Sequence, residues 1–193
     1  MIVGILAVQG DFEAHRAVLT GLGAETREVR TPADLEGVEA VVLPGGESTT
    51  QLKILQEEGL FEALRGFAAR GGAIFGTCAG AILLAREVIN PAQASLGLVD
   101  ITVLRNGYGR QVQSEVRWGC MAGREEPLEM VFIRAPVIER VGLDVEVLAE
   151  EGGQPVLVRQ GNLLAATFHP ELTSDPAVHQ YFLELARERV AML

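Results

Sequence analysis

A cysteine stands between two glycines in Gly76-Thr77-Cys78-Ala79-Gly80, and the chemistry open to it there is nucleophilic. The apolar run Ala73-Ile74-Phe75 precedes it, and the helical pattern Ala81-Ile82-Leu83-Leu84-Ala85 follows. A strand therefore ends on Cys78 and a helix begins straight after it. Glycines two residues to either side let the backbone turn sharply and let neighbouring elements approach closely. These are the mechanics of the nucleophile elbow G-x-S-x-G, with sulfur in place of oxygen. The positive end of the helix dipole favours thiolate. Taken alone, the segment fits a small buried hydrophobe equally well.

A thiol nucleophile needs a base, and the base needs an orienting group. His169-Pro170-Glu171 follows the strand pattern Leu163–Phe168. Proline biases His169 towards extended geometry, and an extended triplet turns His169 and Glu171 to the same side. A solvated loop is the alternative for these three residues. The other histidines, His15 and His179, fall in helical patterns with no strand end beside them, which makes them poorer bases.

A third segment offers backbone donors. Ala40–Leu43 is a short apolar strand, and Pro44-Gly45-Gly46-Glu47-Ser48-Thr49-Thr50 follows it. A glycine-rich turn into a helix exposes N–H groups that can hold an oxyanion or a phosphate. It is not a P-loop, because no Gly-Lys-Ser/Thr closes it. A tight loop without function fits it as well. Ser48 or Thr49 is expected to cap the helix that runs through Leu52 and Leu55.

The positioning elements read as α/β. Ile2–Val8 is a strand buried on both faces, Phe12–Leu22 a helix, and Glu25–Val29 and Ala40–Leu43 further strands. Helices are expected around Thr50–Glu57 and Phe61–Arg70, with Gly71-Gly72 breaking the pattern before the elbow strand. Alternation of this kind argues for a parallel sheet with helices on both faces, and ligands bind beyond strand C-termini in such sheets. Six shorter strands follow: Val99–Leu104, Gln111–Trp118, Glu129–Arg134, Val145–Ala149, Pro155–Gln160 and Leu163–Phe168. Gly152-Gly153 and Gly161-Asn162 are turn signals between the last of them, so an antiparallel or mixed extension is expected. Asp175-Pro176 opens a terminal helix with Val178, Phe182 and Leu185 on its apolar face.

These segments, in this order, resemble the class I, triad-type glutamine amidotransferases. Within that superfamily the resemblance is to the glutaminase subunits of pyridoxal 5'-phosphate synthases, and it spans nearly the whole chain. It rests on Leu6–His15, Leu43–Thr49, Arg105-Asn106-Gly107-Tyr108-Gly109-Arg110-Gln111, Phe132-Ile133-Arg134-Ala135-Pro136 and Phe168-His169-Pro170-Glu171-Leu172. Glu115-Val116-Arg117-Trp118-Gly119-Cys120 departs from the more aromatic and acidic segment expected there. The resemblance implies one three-layer, flavodoxin-like domain over residues 1–193 with a mixed, largely parallel sheet. It implies a Cys78-His169-Glu171 triad, with the N–H groups of Gly46 and Ala79 as the oxyanion hole. It carries glutamine contacts onto Gly46, Glu47, Ser48, Arg105, Ile133 and Arg134. Read without it, Arg105 and Arg134 offer planar forks for a carboxylate or are ordinary surface arginines. It also implies a partner, the barrel-shaped synthase subunit that consumes the ammonia.

Composition agrees. With 48% apolar residues, 193 residues bury a sizeable core, and one domain is expected. A net charge of −10, from 26 Asp+Glu against 16 Lys+Arg, disfavours a nucleic-acid partner. Lys53 is the only lysine, and nothing in the pattern gives it a role. No signal peptide and no membrane-length apolar stretch of roughly 18 residues is evident, so a cytoplasmic protein is expected. Its two cysteines, Cys78 and Cys120, are then expected to be reduced. Neither a cofactor nor a metal is expected, since no Cys/His cluster is legible. Two other readings stay open: a class I glutaminase serving another synthetase, and a cysteine-elbow deglycase or protease-like protein.

Overall fold

The computed structural model describes residues 1–107 and 114–190, with the backbone alone at 189 and 190. The first half alternates as expected: β1 (Ile2–Leu6), α1 (Phe12–Gly21), β2 (Glu25–Val29), β3 (Ala40–Leu43), α2 (Ser48–Glu57), α3 (Leu60–Ala69), β4 (Ala73–Thr77) and α4 (Ala79–Leu84). The second half holds β5 (Ala85–Ile89), β6 (Val99–Leu104), β7 (Glu115–Met121), β8 (Leu128–Phe132), β9 (Val137–Val141), β10 (Glu146–Glu151), β11 (Gln154–Gln160), β12 (Leu163–Ala166) and α5 (Ala177–Val190).

Among the described residues one sheet runs in the order β2-β1-β3-β4-β12-β11-β10-β7-β8. Its first five strands are parallel, and from β12 onward every pairing is antiparallel. This is the expected parallel sheet with an antiparallel extension. Tight connections at Gly152-Gly153 and Gly161-Asn162 reverse the chain between β10, β11 and β12. The sheet separates two cores by the period-2 rule. Val41, Leu43 and Ile74 face α2, α3 and α4, where Leu55, Leu64 and Ala81 pack. Ala40, Val42, Ala73 and Phe75 face α1 and α5, where Leu19, Val178 and Phe182 pack.

Some expectations are corrected. The glycine turn is capped neither by Ser48 nor by Thr49. Glu47 caps α2, its carboxylate accepting from the N–H groups of Thr49 and Thr50. A carboxylate reaches as far as a hydroxyl and adds charge at the positive end of the helix. The Ala81–Ala85 pattern yields a shorter helix, since Ala85 already belongs to β5. β5 and β9 carry too few alternating residues to stand out in sequence, yet they flank β6 in a separate three-stranded sheet. The strand expected over Gln111–Trp118 falls partly outside the described residues, and its described part begins at Glu115. Asp175 caps α5 through the Ala177 N–H, and Val178, Phe182 and Leu185 are buried as expected. No helix among the described residues is long and apolar enough to cross a membrane.

The elbow depends on close backbone approach. A Cβ on Gly80 would stand 2.0 Å from the Leu43 carbonyl oxygen, and one on Gly76 would stand 2.5 Å from the Gly80 backbone. Backbone atoms cannot rotate away as a flexible side chain can. Gly80→Ala is therefore expected to destabilise the fold by about 1–3 kcal/mol. Gly21→Ala, at an α1 position with nothing within 4 Å, is expected to be neutral or to stabilise by less than about 1 kcal/mol. Urea unfolding midpoints of the two variants check this contrast.

Candidate active site

β3, β4 and β12 lie side by side and parallel, so the three segments singled out in the sequence emerge at one edge of the sheet. Cys78 follows β4 with φ +47° and ψ −102°, a conformation costly for a residue with a Cβ. Its N–H donates to the Ala166 carbonyl at 2.8 Å, which ties the elbow to β12. Three described non-glycine residues have positive φ: Cys78, Asn90 and Arg134. Cys78 and Arg134 line the same cleft, as strained residues at functional sites often do.

His169 is reached by a different backbone route from the one expected. The triplet is not extended, because Pro170–Leu172 forms a turn of 3₁₀ helix with His169 just before it. That turn still brings the two side chains together, and His169 Nδ1 lies 2.8 Å from Glu171 Oε1. The His169 N–H donates to the Val131 carbonyl on β8 at 2.8 Å, so the residue is held from two sides. Both His169 and Glu171 are buried. Burial would push the His169 imidazole down, but hydrogen bonds and opposite charge from Cys78 and Glu171 outweigh it and raise its pKa to about 10. The arrangement favours the protonated form of the His169 ring.

The glycine turn closes the other side. A Cβ on Gly45 would meet His169 Cε1 at 2.4 Å, so only glycine lets the imidazole stand against this backbone. Gly46 has φ +156°. The turn hangs from the loop after β1: the Asp11 N–H donates to the Gly45 carbonyl, and the Glu47 N–H to Gln9 Oε1 at 2.8 Å. Gln51 Nε2 donates to the Gln9 and Pro44 carbonyls. Gln9 and Gln51 were not singled out as site residues in the sequence. Only their position in a matching segment or at a helical spacing marks them, and their role depends on the loop they join.

One cleft of about 370 Å³ holds Cys78, Ala79, His169, Gly46, Glu47 and Ser48. Arg105, Ile133 and Arg134 line it too, so each residue expected at the site is at its wall, except Glu171, which lies behind His169. The Ile133 carbonyl oxygen is 3.9 Å from Cys78 Sγ. Ser48 Oγ donates to Gln93 Oε1 at 3.0 Å. Glu47 has its pKa lowered to about 2, first by the Thr49 and Thr50 hydroxyls, and lies 3.7 Å from Arg105 Nη2. Arg105 Nε is buried without a hydrogen-bond partner among the described residues. The matching segment beyond Gly107 lies outside the described residues. Asp11, His169 and Glu171 bring ligand-type atoms within 4.8 Å of one another, but His169 and Glu171 are already paired. Cys120 is exposed on β7, and both cysteines are free thiols.

The sequence profile of the SNO glutamine amidotransferase family matches residues 5–188. The chain belongs to that family. It is 55% identical to the pyridoxal 5'-phosphate synthase subunit PdxT of Deinococcus radiodurans, over 98% of this chain and 99% of that protein. The protein of the same name from Thermus thermophilus is 55% identical over 96% of this chain and 97% of its own length. A solved glutamine amidotransferase superposes with TM-score 0.91 at 51% identity, covering 96% of this chain and 99% of that one. A chain in the structure of PurLQS from Thermotoga maritima shares the fold alone, with TM-score 0.71 at 18% identity over 95% of this chain and 97% of that one. As a member of this family, the chain has the α/β fold with a mixed, largely parallel sheet that the resemblance implied.

The site makes its own electrostatic prediction. Folded His169 binds its proton more tightly than the unfolded chain does. This interaction therefore stabilises the fold fully below about pH 6.5 and is lost as pH rises through about 10. Cys78→Ala removes the sulfur's share, so the His169 midpoint is expected to fall below that of the native protein. An NMR titration of the three imidazoles measures it, and an unchanged His169 midpoint would contradict the part that Cys78 has in raising it.

Proposed function

We propose that this chain hydrolyses L-glutamine to L-glutamate and ammonia, and hands the ammonia to a pyridoxal 5'-phosphate synthase subunit. The observation that carries the chemistry is a strained cysteine at a strand-to-helix turn that shares one cleft with His169, whose ring is paired with the buried Glu171 behind it. The acceptor is inferred from the names that the 55%-identical relatives bear.

Cys78 Sγ attacks the side-chain amide carbon, and the carbonyl oxygen takes up negative charge. The N–H groups of Gly46 and Ala79 stabilise that oxyanion. Protonated His169 then gives its proton to the departing nitrogen, and the C–N bond breaks to leave a glutamyl thioester and ammonia. The imidazole, now neutral, takes a proton from water as the water attacks the thioester. Collapse of that second tetrahedral species breaks the C–S bond, which frees Cys78 Sγ beside the again protonated His169 and releases glutamate. Glu171 stabilises the imidazolium and holds the ring. Arg105 and Arg134 take the α-carboxylate of the substrate, and Glu47 the α-ammonium.

Free ammonia protonates in neutral water and loses its nucleophilicity, so it must pass directly to the acceptor site. On this reading, hydrolysis without an acceptor is wasteful. Docking of the synthase subunit is expected to organise the Gly45-Gly46 turn and switch hydrolysis on.

The test is glutamate and ammonia release at saturating glutamine, with and without the synthase subunit. Low activity alone and a large rise with the partner are expected. Full activity alone would refute gating, and absence of a complex would remove the acceptor while leaving the hydrolysis standing. In the complex, Cys78→Ala is expected to lose at least about a thousandfold in kcat. Cys120→Ala keeps most activity. His169→Ala approaches the loss at Cys78, and Glu171→Ala costs less. Equal losses at Cys78 and Cys120 would overturn the nucleophile.

A further inference from the structure

All three histidines of the chain are buried, and His15 and His179 stand behind the cleft that His169 lines, joined to it through Glu171, although the proposed reaction uses only His169. His15 on α1 and His179 on α5 are fully buried, with His15 Nδ1 2.8 Å from His179 Nε2. The other ring nitrogen of His15 lies 3.1 Å from Thr77 Oγ1 and 3.5 Å from Glu171 Oε2. Thr77 is the last residue of β4, immediately before the nucleophile. Phe75 holds both rings edge-on, at centroid distances of 6.2 and 5.6 Å.

The tautomers follow from this geometry. Two neutral rings share two N–H groups. If His15 donated from Nδ1 to His179, its Nε2 lone pair would face the Glu171 carboxylate. His179 Nδ1–H would then be a buried donor without a partner, since that atom has none among the described residues. Orphaned buried donors are rarer than under-used acceptors. With the opposite assignment, His179 Nε2–H donates to His15 Nδ1. His15 Nε2–H then points at Thr77 Oγ1 and at Glu171 Oε2, the oxygen that has no hydrogen bond. Both considerations favour this second arrangement. Burial also keeps both rings neutral, lowering His15 well below its ordinary range and His179 to about 4.

We propose that His15, with its tautomer set by His179, is a positioning residue that turns its N–H towards the far oxygen of Glu171 and so keeps that side chain aimed at His169. His169 bonds one oxygen of this carboxylate at 2.8 Å, and the other oxygen faces His15 Nε2 at 3.5 Å, beside the shorter bond from that nitrogen to Thr77. Without His15 against its far oxygen, the buried Glu171 side chain has the His169 contact alone and is free to rotate about its last torsion. The titratable groups facing this carboxylate are His169 on its own turn, His15 on α1, Asp11 just before α1, and His179 on α5 beyond His15. Cys78 faces it only through His169. This inference rests on the hydrolytic reading for its kinetic arm alone.

Two variants separate positioning from packing. Glutamine places its amide nitrogen near the Nε2 position of histidine, whereas asparagine reaches only as far as Nδ1. In complex with the synthase subunit, His15→Asn is expected to lower kcat for glutamine by roughly tenfold with little change in KM, the scale seen when an imidazole's outer partner is lost. His15→Gln is expected to recover most of kcat. In the free chain, NMR titration of His169 is expected to move to lower pH in His15→Asn and to return towards the native midpoint in His15→Gln. This arm needs no catalysis, so it stands even if the hydrolytic reading fails. Should His15→Asn not fold, His179→Leu frees the His15 tautomer and is expected to shift His169 in the same direction by a smaller amount. A folded His15→Asn protein with the native His169 midpoint, or equal kcat losses in the Asn and Gln variants, would overturn the proposal.

Discussion

Parallel pairing of β3, β4 and β12 as immediate neighbours is the constraint on which the site depends. Leu43 stands opposite Gly76, and Ala166 opposite Thr77, so all three strands run out at the same level. The chain then leaves each strand in a different way: a glycine turn, a strained elbow and a 3₁₀ turn. Shift one strand by a residue and its side chains exchange faces, because the period is two. Phe75 would then leave the core that holds His15 and His179, and the elbow would lose its bond to Ala166. The strain at Cys78 persists because packing on both faces over-determines it.

Most of the geometry of the candidate site was legible because its signals are local. A cysteine between glycines after an apolar strand, and a histidine two residues before a glutamate after another, each follow from short-range mechanics. The hydrogen bond of the triplet was anticipated, but by way of an extended backbone that the structure replaces with a 3₁₀ turn. The reason is that proline restrains the residue before it and its own φ, and leaves its ψ free to turn. The cap on α2 was placed one or two residues late for a similar reason. Hydroxyl and carboxylate are both good caps, and sequence cannot show which oxygen reaches the free N–H groups.

What was not legible depends on distance along the chain. Gln9 and Gln51 join segments separated by about forty residues, and nothing at either position announces the Gly45 turn that they hold. β5 and β9 pair with β6 across long separations, and neither strand alternates cleanly. His15 and His179 were read as helical histidines without a role as base. That part holds, but 164 positions of sequence separation hid their contact with each other. Tertiary packing of α1 and α5 on one face of the sheet creates that contact, and no local pattern encodes it.

The charges of the cleft also explain, on the proposed reading, which substrate it takes. Glu47 is held ionised by hydroxyl donors and stands 3.7 Å from Arg105, whose Nε has no partner of its own among the described residues. An anion and an under-used cation side by side are the complement of a zwitterion, whose ammonium and carboxylate leave the same carbon. Such a pair discriminates sharply, because an amine or an acid alone leaves one buried or half-buried charge unanswered. The same pair is weak as a stabilising ion pair, since Glu47 is half exposed to water. It therefore contributes little to the fold. The distance from this pair to Cys78 then sets which amide is presented to sulfur, so chain length between the α-carbon and the amide becomes the second criterion. Glutamine satisfies both conditions only if the elbow and the glycine turn keep their level at the sheet edge, which returns specificity to the register of β3 and β4.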